Sequence, residues 1–145
     1  MSKPLENLAK IGSLKIEPCN AVEFKGLVQS GRVRLQDAQN ATLSIESKFD
    51  LAYNASHALA LAALRWHGYR SESRYLVFQC LAHTLGLQPA EYRVFDLCHR
   101  RRNVAEYEGH LDVEEALVTA LLTSTQKILE LIDQLDPVPS TQKQQ

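Results

Sequence analysis

At 145 residues, with 45% hydrophobic and 23% charged residues, the chain has the makeup of one globular domain that can bury its own core. Its longest apolar stretch, Ala58 to Leu64, is too short to span a bilayer, and the opening Met-Ser-Lys-Pro-Leu-Glu-Asn lacks the apolar centre of a secretory signal; no membrane partner and a cytoplasmic location are therefore expected. The net charge of −1 hides an asymmetry: residues 65–102, with seven arginines, no lysine and three acids, can attract an anion or nucleic acid, while residues 103–145, with eight acids and two lysines, argue against indiscriminate binding.

Glycine and proline sit at boundaries rather than inside the periodic segments, and no run alternates with period two, so helices joined by short turns are expected and no strand. Residues 1–19 hold a short peripheral helix at most, with Leu5, Leu8 and Ile11 on one side. Asn20 caps the first clear helix, to which Val22, Phe24, Leu27 and Val28 contribute apolar surface. The pair Ser30-Gly31 should stop or bend it, leaving a second piece over about 32–43 with Val33, Leu35, Ala38 and Leu43.

From Ser44 to His67 the chain reads as one long helix ending at Gly68. Phe49, Ala52, Tyr53, Ser56, Leu59, Ala60 and Ala63 recur at three- and four-residue spacing, a face of small side chains that lets neighbouring helices come close. Its C-terminal half is apolar over most of its circumference, which predicts deep burial there. A fourth helix, about Ser71 to Thr84, places Leu76, Val77, Cys80 and Leu81 on one side and ends at Gly86. Pro89 suits the first turn of a fifth, about 89–106, with Val94, Phe95, Cys98 and Ala105 inward. Asp112 and Glu115 form a capping-box-like start to the last helix, whose apolar face runs from Val113 to Leu135 before Asp136-Pro137. The fold expected is an all-α, antiparallel helical bundle of four to six helices, one domain over 1–136, followed by a polar disordered tail at 137–145.

Cys19, Cys80 and Cys98 are odd in number and form no CxxC pair, so neither a disulfide framework nor a zinc site is expected; each is a buried apolar residue or a free thiol. No phosphate-binding glycine loop, zinc-protease helix or nucleophile elbow occurs, and no metal or cofactor is expected. The tract that can carry chemistry is Cys98-His99-Arg100-Arg101-Arg102-Asn103-Val104-Ala105-Glu106-Tyr107-Glu108-Gly109-His110. Three successive arginines spread over roughly 200° of a helix, so at least one must face the bundle or a partner chain. Such an arginine either pairs with Glu106 or a carbonyl, or binds a phosphate. Tyr107 and Asn103 are read as packing residues of the bundle, and Trp66-His67 as core and cap packing.

Two blocks carry a family resemblance. FDLAYNASHALALAALRWHGYR, from Phe49 to Arg70, and RRRNVAEYEG, from Arg100 to Gly109, resemble in order and separation the A-Y-N/R-A helix and the R-N-x-A-x-Y segment of HEPN proteins. The resemblance spans about residues 44–135. It implies a helical bundle that forms a homodimer and binds RNA or a nucleotide, with a nucleotidyltransferase-type antitoxin as a partner in toxin–antitoxin settings. In catalytic members an arginine and a histidine four to six residues later cleave RNA without metal: the 2′-hydroxyl attacks the adjacent phosphate, the histidine moves a proton and the arginine holds the phosphate. Here the match departs from that pattern. Counted from Arg102, the histidine slot is Tyr107; counted from Arg100, it is Ala105. His110 lies outside the window, beyond Gly109. Neither alanine nor a tyrosine with a pKa near 10 replaces a group that titrates near neutrality.

The resemblance therefore implies a nucleotide- or RNA-binding or regulatory module using Arg100, Arg101, Arg102, Asn103 and Tyr107, without standard HEPN catalysis. Two alternatives stay open. One is a divergent metal-independent endoribonuclease working through Arg102 with Tyr107, His99 or His110, with His57, His67 and His83 as more distant substitutes. The other is a helical bundle that serves only protein–protein interaction through its alanine-rich faces.

Overall fold

A computed structural model describes residues 3–138; the tail expected at 137–145 lies for the most part, from 139 onward, outside the described residues. The helices are α1 (Lys3–Lys10), α2 (Ala21–Ala38), α3 (Ile45–Trp66), α4 (Arg74–Gln79), α5 (Leu81–Thr84), α6 (Pro89–Glu108) and α7 (Glu115–Asp133). With α4 and α5 counted as one broken helix there are six among the described residues, and the all-α bundle is the fold.

α3 is the central rod. Ser44 caps it by accepting from the Ser47 amide, and its buried residues include all seven of the expected face, Phe49 to Ala63, plus Ala55, Ala62, Leu64 and Arg65. It packs against α2, α4, α5, α6 and α7, and its most extensive helix contact is with α2. Four aromatic rings run through the core beside it: Phe49 and Tyr53 have centroids 6.1 Å apart, Tyr53 and Phe78 5.8 Å, and Phe78 and Phe95 5.7 Å. Leu5 of α1 and Leu14 belong to the same core, so the N-terminal segment is docked on the bundle.

Ser30-Gly31 does not break the chain: α2 is a single helix from Asn20, whose Oδ1 accepts from the Val22 and Glu23 amides, to Ala38. Gly31 is needed for contact rather than for a turn. A Cβ there would lie 2.5 Å from Leu59 Cγ and 3.2 Å from the Ala55 carbonyl, so its absence lets α2 approach α3. As a consequence Val22 and Val33, expected to contribute to packing, are exposed, while Gly31, Leu35 and Ala38 form the buried stripe.

Two further expectations need correction. A small antiparallel ladder is present, pairing β1 (Lys15–Ile16) with β2 (Tyr69–Arg70) in the register Lys15↔Arg70 and Ile16↔Tyr69. Two residues per strand are too few to show alternation in a sequence. The ladder forms because Gly68, at φ 90°, reverses the chain after α3 and lets its carbonyl accept from the Glu17 amide. At the other end, α7 begins at Glu115 with Glu114 as N-cap and no side-chain cap, so the Asp112–Glu115 box does not form. A reciprocal contact of that kind occurs instead at α6, where Glu91 accepts from the Gln88 amide at 2.7 Å.

Candidate functional site: an arginine and histidine cluster around Tyr53

The direction of each arginine in the RRRN tract follows from helix geometry. Cys98 is buried on the inner face of α6. At about 100° per residue, Arg102 lies about 40° from Cys98 and Arg101 about 60° to the other side, while Arg100 lies about 160° away. Accordingly Arg100 points outward and pairs with Asp96 at 2.7 Å, its side chain 70% exposed. Arg101 donates to the Asp112 carbonyl at 3.0 Å. Arg102 alone of the three turns to the core aromatics, with its guanidinium carbon 5.1 Å from the centroid of Tyr53. Among the described residues its only ion pair is to the exposed Glu106 at 3.1 Å, an i,i+4 contact of the kind that contributes little.

Tyr53 is buried, and its hydroxyl oxygen lies 2.8 Å from Nδ1 of His99. The Asn103 amide nitrogen faces the other ring nitrogen, Nε2, at 3.3 Å. With that amide donating, the imidazole proton sits on Nδ1 and is donated to the tyrosine oxygen. Burial, and then the charge of Arg102, lower the His99 pKa, while Asp96 and Glu106 oppose them. His57, packed edge-on to Phe78, is held down to about 4 by burial first, then by Arg74, His99 and Arg102. Both imidazoles are thus set toward their neutral forms, and the positive charge of the cluster belongs to its guanidinium groups.

A second guanidinium, that of Arg74 on α4, lies 5.7 Å from the Tyr53 centroid. Burial raises the Tyr53 pKa, against a side-chain hydrogen bond with Arg74 and the charges of Arg74 and Arg102. Arg74 makes no ion pair among the described residues, and its buried Nη1 has no hydrogen-bond partner there. Arg74 has no local signature, since it lies outside the tract that carries the motif. Tyr53 reads as an ordinary core residue of α3.

The other sequence-derived candidates are dispersed. Tyr107 does not fill a gap in the bundle; its side chain is 94% exposed, because at nine residues from Cys98 it lies about 180° around α6. Asn103 is likewise exposed and reaches His99 rather than the core. Ala105 and His110 join Arg102, Phe49 and Glu106 in lining a shallow surface depression on the far side of Arg102. His67 contacts the Thr84 carbonyl at 3.1 Å and Trp66 donates to the Asp136 carbonyl at 2.8 Å, so this pair packs and caps the end of α3 as expected. His83 is exposed.

All three cysteines are free and buried, with burial pushing the Cys80 thiol up to about 11 and the Cys98 thiol up to about 12, which leaves them without thiolate character. Among the described residues no group of three or more histidine, cysteine or acidic side chains could hold a metal ion, and no helix is long and apolar enough to cross a membrane. Compared with protein-family models, with curated proteins and with solved structures, the chain has no significant match.

Proposed function

We propose that the chain is a HEPN-type module that binds a nucleotide or RNA through the Arg102 side of α6, as a homodimer, without the standard HEPN ribonuclease chemistry. The observation that carries this reading is the position of Arg102: it is held against Tyr53 and His99, yet its one ionic partner is an exposed glutamate that an incoming phosphate can displace. The residues in the histidine slots argue against ordinary catalysis, since Tyr107 projects into solvent and Ala105 has no titratable group. Arg100 and Arg101 would add long-range attraction rather than direct contacts with a phosphate beside Tyr53. A nucleotidyltransferase-type antitoxin remains the protein partner this reading anticipates. Titration of wild type and Arg102→Ala with short RNA and with nucleotides tests it: the variant should bind at least about tenfold more weakly, the loss of one charge-assisted contact. Equal, weak binding by both proteins would remove the site.

One observation favours a second reading. His99 lies beside Arg102 with its Nε2 turned to the exposed Asn103, so a proton acceptor stands next to a phosphate-binding group although the motif slot is empty. In a metal-independent endoribonuclease, His99 would take the proton of the 2′-hydroxyl as that oxygen displaces the 5′-oxygen from phosphorus. Incubating the protein with RNA in the presence of a chelator separates the readings. Cleavage abolished by His99→Ala would establish the enzyme, and intact RNA would leave the binding module.

A further inference from the structure

We propose that Arg74 and Tyr75, consecutive residues of the first turn of α4, complete the Arg102 site as a pocket for a terminal nucleotide, Arg74 holding its phosphate and Tyr75 stacking its base. The inference rests on the anion-binding reading above and names the ligand class for it. Three observations converge. First, Arg100 and Arg102 of α6 have acidic partners on their own helix, Asp96 and Glu106, whereas Arg74, which lies against the same Tyr53 ring as Arg102, has no acidic partner among the described residues. Second, Arg74 Nη1 is buried without a hydrogen-bond partner; a buried guanidinium N–H left unmade is costly, and a phosphate oxygen is the acceptor that matches its charge and its fork. Third, Tyr75 is 52% exposed, with its ring 6.5 Å from that of His99, at the edge of the same cluster. A tyrosine left half in solvent at the edge of the cluster offers a face on which any base can stack.

A phosphate next to a base occurs in a nucleoside monophosphate and at the phosphorylated end of an RNA chain. Arg74 is recessed against Tyr53, while Tyr75 stands outward, so the phosphate would enter first and the base would remain at the rim. A terminal phosphate monoester fits that approach better than a diester flanked by sugars on both sides.

Calorimetric titration with AMP, with inorganic phosphate and with a short RNA bearing either a 5′-phosphate or a 5′-hydroxyl tests the proposal on wild type, Arg74→Met, Arg74→Lys, Tyr75→Ala, Tyr75→Phe and Arg102→Ala. Arg74→Met should weaken AMP and inorganic phosphate alike by about tenfold or more. Tyr75→Ala should weaken AMP by about five- to tenfold and leave inorganic phosphate unchanged, while Tyr75→Phe retains AMP. Should Arg74→Met fail to fold, Arg74→Lys carries the test, because it keeps the charge, loses the fork and should still bind AMP more weakly. Wild-type affinity for AMP in Arg74→Met and Tyr75→Ala, together with loss in Arg102→Ala, would overturn the pocket and leave the Arg102 site standing. Equal binding of the 5′-phosphate and 5′-hydroxyl RNAs would overturn the terminal-nucleotide assignment. No change in any variant, Arg102→Ala included, would overturn both.

Discussion

Two arginine clusters flank the central helix, and they differ in how completely their donors are used. Near the C-terminal end of α3, Arg65 is buried at 1% exposure with all five N–H donors engaged: Nε and Nη2 on Glu23 Oε1, Nη1 on the Glu17 and Tyr69 carbonyls, and Nη2 on the Pro18 carbonyl. Arg70 closes the network through Glu17 and Glu23. Around Tyr53, by contrast, Arg74 keeps a buried donor without a partner and Arg102 leans on an exposed glutamate. Satisfied guanidinium groups hold a fold together, whereas unsatisfied ones mark a place where something else binds. The first cluster fastens the segment between β1 and α2 to the turn and strand after α3; the second is the one we propose to face a ligand.

The largest expected effect follows from the satisfied cluster. Arg65→Met removes five hydrogen bonds and leaves Glu23 without its buried partner, so the protein should lose about 3–5 kcal/mol, measured by chemical denaturation. Gly31→Ala comes next. It drives a Cβ into Leu59 and pushes α2, which carries Glu23, away from α3; a loss of about 1–3 kcal/mol is expected despite the gain in helix propensity. Both substitutions act on the Arg65 side, and neither should alter the affinity of a phosphate at Tyr53 beyond its dependence on the folded fraction.

Acid should separate the two regions as well. The Glu23 pKa is lowered overall: burial raises it, but hydrogen bonds from Arg65 and Arg70 together outweigh that effect. A carboxyl depressed in the folded state contributes stability above its unfolded pKa and loses it as pH falls through the folded value, so Glu23→Gln should flatten the stability profile below about pH 4.5. His57 is also depressed, from 6.5 to about 4, so the unfolded chain takes up its proton first. Stability should therefore fall between pH 6.5 and about 4 on its account, and His57→Asn should remove that part of the slope. A midpoint profile insensitive to both substitutions would contradict these assignments. The smallest effect on stability is expected at the Tyr53 cluster: Arg74→Met breaks no ion pair but loses its contact with Tyr53, and should cost about 0.5–1 kcal/mol.

The bundle was legible because α3 repeats mostly small residues at helical spacing over about four turns, and because Asn20, Ser44, Gly68, Gly86 and Pro89 punctuate the chain where the helices start and stop. Gly31 misled for a physical reason. A helical glycine that permits close contact has the same letter as one that ends a helix, and only the neighbouring Leu59 distinguishes them. Of the site, the arginine that turns inward was legible in part: three in succession guarantee one, and the inner position of Cys98 selects Arg102. Arg74 and Tyr75 were not, since their approach to α6 depends on how α4 sits across α3, a long-range contact with no local signal. Tyr107 shows the converse error, in which a motif position suggested packing and helix phase put the ring in solvent.

The most direct test of the distinction between the two clusters is the thermal midpoint of wild type and of Arg74→Met with and without saturating AMP. A ligand at about one hundred times its dissociation constant stabilises the folded state by about 2.7 kcal/mol, so the wild-type midpoint should rise by several degrees and that of Arg74→Met, binding about tenfold or more weakly, by about half as much or less. Equal rises in the two proteins, or none in either, would contradict the assignment of the Tyr53 cluster as the ligand-facing site.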